Sequence, residues 1–408
     1  MHRINKDRLL ADFEALSKFG ATVAGGISRP ALSEADMAAR GWLRQQIEAA
    51  GLDYRMDSAG SQYGRLTGED DTRTLLTGSH LDSVPNGGRY DGALGVLSSL
   101  EAIRCIKELG MIPPISLELV NFTDEEGTLL GLFGSRAVIG QLTQQEIDAP
   151  RCGKDYLESS LQRAGLTDAG LLQAQRDDII GYLELHIEQG KRLTEGATDI
   201  GVVTAMVGIR SYTLHFYGQA AHAGTTPMTE RADALWAATD FMEQARQLVI
   251  EKYLPGVINF GVIQAHPGAY NIVPGEVTLA MEFRHGSDEM LDAMNADLLD
   301  IAYTVTNTDE LSVTAERGGD IHPAPMDERV ISAIETACEE ADLSAMRLLS
   351  FAGHDAQSIA RVAPAGMLFV PSQKGISHNP AEYTTPDDMV NGANVMLNSL
   401  LALANQLA

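Results

Sequence analysis

Cysteine is scarce in this chain: Cys105, Cys152 and Cys338 are odd in number and widely spaced in 408 residues. They read as reduced thiols, not as a disulfide framework or a zinc knuckle, and Cys105 falls inside an apolar helical pattern. If a metal binds, cysteine does not hold it. Basic residues are also few, 30 Lys and Arg against 56 Asp and Glu, for a formal charge of −26. So acidic a surface repels phosphate backbones and anionic headgroups, which argues against nucleic acid and membrane as partners. Long apolar runs are missing too, and Lys6, Asp7, Arg8, Asp12 and Glu14 break up the first twenty residues. No signal-peptide core or spanning segment forms, and a cytoplasmic location is expected. Absent as well are a Walker loop, a GxGxxG after a strand, a GxSxG elbow and an HExxH helix, which removes the commonest nucleotide, serine-hydrolase and zincin readings.

What is present is ample core material, with 44% hydrophobic and 21% charged residues, in a length that suits two or three domains. Apolar residues recur at helical spacing from Ser33 to Ala50, where Ser33 and Asp36 form a candidate capping box. Strand-like runs at Thr74–Thr77 and Ile115–Phe122 flank a long apolar helix, Ala93–Leu109, which is α/β grammar. Between about Gly208 and Asp320 the order becomes β-α-β-β-α-β, the split ferredoxin-like pattern. The α/β grammar then resumes, with a helix at Glu328–Glu340, strands near Met346–Ser350 and Gly366–Val370, and a terminal helix from Pro386. The fold class is therefore α/β, one domain (1–207 and 321–408) interrupted by a second (208–320).

The chemical signal lies in histidines and carboxylates. His80 in Gly-Ser-His-Leu-Asp-Ser directly follows a strand, at the end where open α/β sheets bind ligands. Asp82 is near enough to take the hydrogen bond of the other ring nitrogen, which would fix the tautomer of a metal-binding histidine. Asp91 arrives at the start of the long helix among glycines, and a further strand ends in Asp124-Glu125-Glu126. Adjacent side chains cannot both face one way, so one of these carboxylates can ligate a metal while its neighbour handles protons. His186 and His378 supply two more rings beside glycines. Taken singly, each has an ordinary reading as a solvated turn or a lone polar residue. Three histidines and two carboxylates in similar settings weigh more than any one of them.

The segments GSHLDSVPNGGRYDGALGVL, FTDEEG, ELHIEQG, GQAAHAGTTPM, Asn-Ile-Val-Pro, Phe-Arg-His, AGHDAQ and GISHNPAEYT resemble the amidase, hydantoinase and carbamoylase branch of the M20 metallopeptidase superfamily. That branch contains N-carbamoyl-L-amino acid hydrolases, β-ureidopropionases and allantoate amidohydrolases. The resemblance implies a metal-binding catalytic domain, an inserted lid or dimerisation domain, and a homodimer. It implies two divalent metal ions per subunit, the first on His80, Asp91 and His186, the second on Glu126 and His378 with Asp91 bridging, and Glu125 as general base. By the same resemblance His222 stabilises the tetrahedral intermediate, while Asn271 and Arg284 receive a substrate carboxylate. A nitrogen and oxygen ligand set suits Zn²⁺ or Mn²⁺, and also Co²⁺ or Ni²⁺. Without the motif context Arg284 reads as a strand-end ion pair. His2, His215, His266, His285 and His322 lack such context and read as structural or solvated; His354 lies in a motif with no assigned role.

The expected activity is hydrolysis of the ureido C–N bond of a small N-carbamoyl-L-amino acid, giving amino acid, ammonia and CO₂. Arg89-Tyr90 and Gly208-Ile209 look more like the carbamoylases, and Thr128–Leu132 is more apolar than in many relatives. Allantoate hydrolysis is the alternative, followed by an aminoacylase or peptidase. A metal-binding protein without catalysis is disfavoured by Glu125, because a structural site needs no extra base.

Overall fold

In the computed structural model of the chain, which describes residues 1–308 and 310–408, the run Ile115–Phe122 is buried at every position. Such burial is what a strand covered on both faces requires. In chain order the strands are Asp53–Met56 (β1), Gln62–Leu66 (β2), Asp70–His80 (β3), Ile115–Phe122 (β4), Ile179–Ile187 (β5), Ile200–Met206 (β6), Gly208–Tyr217 (β7), Ala221–His222 (β8), Val257–His266 (β9), Ile272–Val273 (β10), Glu276–His285 (β11), Ser312–Ile321 (β12), Ala324–Pro325 (β13), Ala345–Ser350 (β14) and Ala365–Val370 (β15).

The chain divides into two units, Met1–Thr204 with Met326–Ala408, and Ala205–Pro325. The larger contains a mixed sheet ordered β1-β2-β4-β3-β5-β15-β6, with β14 also on β6; β13 pairs only with Ala205 and Met206 at the end of β6, residues of the smaller unit. Its centre, β4-β3-β5-β15, is parallel, and β2 and β6 join antiparallel on either side. From β3 the chain passes through the helix Ala93–Glu108 to β4 on one side, then crosses to β5 on the other. The strand order therefore reverses beside β3, and the crevice at the carboxyl ends of these strands is the place for a ligand. Helix Ala93–Glu108 is buried from Ala93 to Ile106, because the sheet covers one side and the helices Lys6–Leu16 and Pro386–Gln406 pack on it too.

The inserted unit has the sheet order β12-β7-β11-β9. Burial alternates strictly along β7 and β11, as in a sheet with one face covered. The helices Ala234–Lys252 and Asp288–Val305 cover that face, bringing Phe241 and Leu298 into one buried cluster with Leu214, Phe216, Leu279 and Phe283 of the sheet. Removing one such aromatic, as in Phe241→Ala, should cost about 3–5 kcal/mol. The unit is wider than 208–320 because Ala205 and Met206 pair with Pro325 and Ala324.

One local reading needs correction. Ser33 caps Glu34–Ala49 by accepting from Asp36 N at 3.2 Å, but the Asp36 carboxylate does not complete a capping box. It accepts from Leu32 N at 2.8 Å and pairs with buried Arg40 at 2.6 Å. The apolar stretch after the Glu pair is partly consumed by packing, with Leu129 and Phe133 in a buried cluster beside Leu157 and Leu171. The three cysteines are free. Among the described residues no helix is long and apolar enough to cross a membrane.

Candidate metal centre

Four parallel strands deliver the side chains. His80 is the last residue of β3 and His186 the penultimate residue of β5; Glu125 and Glu126 follow β4, and His378 lies on the loop after β15. Asp91 precedes the helix Ala93–Glu108 in a turn that needs glycine next to it. Gly92 has φ +62°, and a Cβ there would lie 2.5 Å from three atoms of the His80 ring.

Asp91 stands at the middle. Its Oδ1 lies 3.1 Å from His186 Nε2 and 3.6 Å from His80 Nε2. Its Oδ2 lies 3.5 Å from His378 Nε2, which is 3.3 Å from Glu126 Oε2. Two groups of donor atoms result, His80-Asp91-His186 and Asp91-Glu126-His378, each gathered within 4.8 Å. They share one carboxylate, an oxygen to each side.

These residues fit metal ions on two grounds. His80 Nε2 is buried without a hydrogen-bond partner, and so is Glu126 Oε1; buried polar atoms without partners are costly unless something else satisfies them. The donors are imidazole and carboxylate, a set suited to divalent transition metals. The far nitrogens of both buried rings are held by main chain, His80 Nδ1 by the Asp82 carbonyl at 3.0 Å and His186 Nδ1 by the Ile187 carbonyl at 2.9 Å. That turns the Nε2 atoms toward Asp91, where His80 Nε2 has no hydrogen-bond partner and His186 Nε2 accepts only from the Gly92 N–H at 3.2 Å.

Asp82 thus acts differently from the sequence expectation. Its carboxylate is 3.7 Å from His80 Nδ1, beyond hydrogen-bond range, and accepts from the backbone N–H of Glu126 at 3.2 Å and Glu125 at 3.4 Å. It anchors the Glu pair. The two glutamates diverge, Glu125 Oε2 lying 3.5 Å from His80 Nε2 while Glu126 faces His378. Burial pushes the Glu125 carboxyl well above the usual carboxylate range, with repulsion from Asp355, Glu126 and Asp91 adding to it and His80 opposing. Burial also works to raise Asp91, but attraction to His186, His378 and His80 holds it well below that range.

Some contributors have roles that the sequence alone does not assign. Asp124 has φ +57°, and its carboxylate accepts from the backbone of Leu129, Leu130 and Gly131, folding the loop behind the glutamates. Gln189 Nε2 donates to Asp91 Oδ2 at 2.8 Å. His354 packs edge-on against His186 with ring centroids 4.4 Å apart, bonds Ser350 Oγ at 3.1 Å, and is kept neutral by burial. All three lie inside the quoted motifs, which was the available signal.

The inserted unit carries the rest. His222 on β8 is exposed, and its Nδ1 accepts from the backbone N–H of Gly224 and Thr225 at 3.1 and 3.2 Å. The neutral ring therefore bears its proton on Nε2, as a donor. Asn271 is beside it, since Ile272 on β10 pairs with His222 and Ala223 N bonds the Asn271 carbonyl at 3.0 Å. Arg284 is not. On β11 it stands opposite Ile209, eight residues along from Glu276 opposite Tyr217, about 27 Å at ~3.4 Å per residue. The β8–β10 ribbon continues beyond the Glu276 end in nearly the same register. Asn271 and Arg284 therefore sit at opposite ends of one ribbon and do not meet within a chain. Arg284 pairs with Glu282 at 2.7 Å.

The model of the peptidase family M20/M25/M40 matches residues 76–402. The chain belongs to that family. This M20 member is 34% identical over 406 residues to an allantoate amidohydrolase of Bacillus subtilis, covering 98% of each chain. It is also 34% identical over 410 residues to an N-carbamoyl-L-amino acid amidohydrolase of Geobacillus stearothermophilus, covering 98% of this chain and 99% of that one. A solved hydantoinase/carbamoylase-family amidase from Burkholderia phymatum superposes with a TM-score of 0.90 at 35% identity, over 100% of this chain and 99% of that one. The M20 member is accordingly a metal-dependent amidohydrolase, a hydrolase of C–N bonds.

Proposed function

We propose that this amidohydrolase cleaves the ureido C–N bond of an N-carbamoyl-L-amino acid at a centre of two divalent metal ions. The observation that carries this reading is the carboxylate of Asp91 shared between two ligand groups, with Glu125 alongside and outside both. His80, Asp91 and His186 would hold one ion, and Asp91, Glu126 and His378 the other. Such ions, when bound, polarise the substrate carbonyl and acidify water. Zn²⁺, Mn²⁺, Co²⁺ and Ni²⁺ all suit the donors.

Glu125 takes the proton of the attacking water and passes it to the departing nitrogen. His222, with its proton on Nε2, donates to the oxyanion that develops on the carbonyl. Arg284 offers its planar fork to the substrate carboxylate. One water is consumed, and the carbamoyl group leaves as ammonia and CO₂.

The ribbon geometry favours a homodimer with shared sites. A substrate of amino-acid size cannot touch Arg284 at one end of the inserted sheet and His222 with Asn271 at the other. If all three serve one substrate, they come from different subunits. An isologous pairing across a two-fold axis would also cover exposed β9, an edge of that sheet.

Allantoate is the second reading, favoured by the Bacillus subtilis relative at equal identity. Ammonia release from N-carbamoyl amino acids and allantoate, beside amino-acid release from dipeptides, with and without added Mn²⁺ or Zn²⁺, tests both. Turnover of allantoate alone would overturn the carbamoyl reading, and turnover of dipeptides alone would overturn both.

A further inference from the structure

Glu382 has no place in the ligand set, yet its side chain is 5% exposed and lies within the turn that carries Asp91. Its Oε1 accepts two successive backbone N–H groups, those of Tyr90 at 2.9 Å and Asp91 at 3.1 Å. Its Oε2 accepts from Ser377 Oγ at 3.1 Å, and the same hydroxyl reaches Asp91 Oδ2 at 3.0 Å. A serine hydroxyl has one proton, so the two carboxylates compete for it. With Asp91 Oδ2 engaged as a ligand, the proton goes to Glu382. Gly88 leaves room for this arrangement: a Cβ there would lie 1.9 Å from the carboxyl carbon of Glu382 and 2.0 and 2.3 Å from its oxygens.

We propose that Glu382 is a positioning residue for metal binding, a clamp that fixes the backbone at Asp91 and, through Ser377, ties Asp91 to the loop bearing His378. The inference rests on the reading of Asp91 as the ligand shared by two metals. Its physical basis is preorganisation. Asp91 must present one oxygen to each side, and without the clamp the Gly87–Gly88 turn is free to rotate that carboxylate away. Groups that orient ligands typically change metal affinity by about 10–100-fold when removed.

The test is a competitive metal titration of the full-length protein with Zn²⁺ or Mn²⁺ against a chelating indicator. Glu382→Ala and Glu382→Asp should each weaken binding by about 10-fold or more; Asp keeps the charge but draws the carboxylate back by one methylene. Glu382→Gln should stay within about threefold, because its amide oxygen can accept both N–H groups while its nitrogen donates to Ser377. Gly88→Ala should mimic the loss in the parent but add little in Glu382→Ala, where the clashing carboxyl is gone. If Glu382→Ala does not fold, the contrast between Asp and Gln carries the test. Affinity unchanged in Glu382→Asp, or an equal loss in Glu382→Gln and Glu382→Asp, overturns the clamp. Asp91→Asn separates this failure from that of the centre: if it binds both metals as the parent does, the shared-ligand reading falls and the clamp with it. If it loses metal while the Glu382 variants do not, the clamp alone falls.

Discussion

His80 and His186 are each 1% exposed and are held by carbonyls, a neighbouring ring and a shared carboxylate. In the inserted unit, His222 and Asn271 are exposed on a two-stranded ribbon, and Arg284 is about one-third exposed beside Glu282. The difference separates two kinds of site. Metal ligands must be preorganised before the ion arrives, so contacts across the larger unit lock them. Groups that meet a substrate must remain accessible, so local turns and edge strands present them. Damage to the first kind should appear as metal loss, and damage to the second as loss of turnover with the metals in place.

The largest expected effect tests Glu125, which lies at the ligand groups without belonging to them. Glu125→Gln should lower kcat on the order of 10²-fold or more while retaining both metals, whereas Glu126→Gln should weaken the second. Metal analysis beside steady-state kinetics decides this, and near-normal turnover of Glu125→Gln would remove it from the mechanism. Next, His222→Ala should cost on the order of 10²-fold in kcat with no change in metal content. Co-expressed with Glu125→Gln, it should recover activity if the subunits share sites. Random pairing makes half of the dimers hybrid and about a quarter of all sites complete. A mixture that stays inactive would place His222 in its own subunit's site.

Arg284→Ala should then cost about 2–3 kcal/mol in kcat/KM on carboxylate substrates and little on their amides. Equal losses on both would show that Arg284 does not contact the carboxylate. The smallest effect is expected at Glu282. Its half-exposed ion pair with Arg284 is worth about 1 kcal/mol or less to stability, so Glu282→Gln should leave the denaturation midpoint nearly unchanged. It should lower KM for carboxylate substrates by a few-fold, since it removes a rival carboxylate; an unchanged KM would mean that the two do not compete.

Much of this was legible from short-range pattern. The helix at Ala93, the strand Ile115–Phe122 and the β-α-β-β-α-β order appear in the structure within a few residues of where periodicity puts them, because burial of one face or of both writes itself into local spacing. The family resemblance carried further, since its motifs held the histidines and glutamates that the fold gathers. Periodicity does not predict the helices between Phe133 and Arg163; they are short, and their apolar residues serve a cluster assembled from distant segments. For Asp82 and Asp36 the residue pairing holds but the atoms differ: His80 Nδ1 meets the Asp82 carbonyl, and Ser33 accepts from Asp36 N, while neither carboxylate takes the part that spacing suggests. Backbone N–H groups take the carboxylates instead, those of the distant Glu125 and Glu126 for Asp82 and that of nearby Leu32 for Asp36.

By itself, then, the sequence determined the α/β class, the interrupted order of the two units and the residue types able to bind a metal, because these depend on periodicity and on the chemistry of single side chains. Only the tertiary structure decided that Asp91 faces both ligand groups, that Glu382, 291 residues away, holds its backbone, and that Asn271 and Arg284 stand at opposite ends of one ribbon. Strand order and register are settled by long-range pairing, and no spacing along the chain records which distant groups they bring within hydrogen-bond reach.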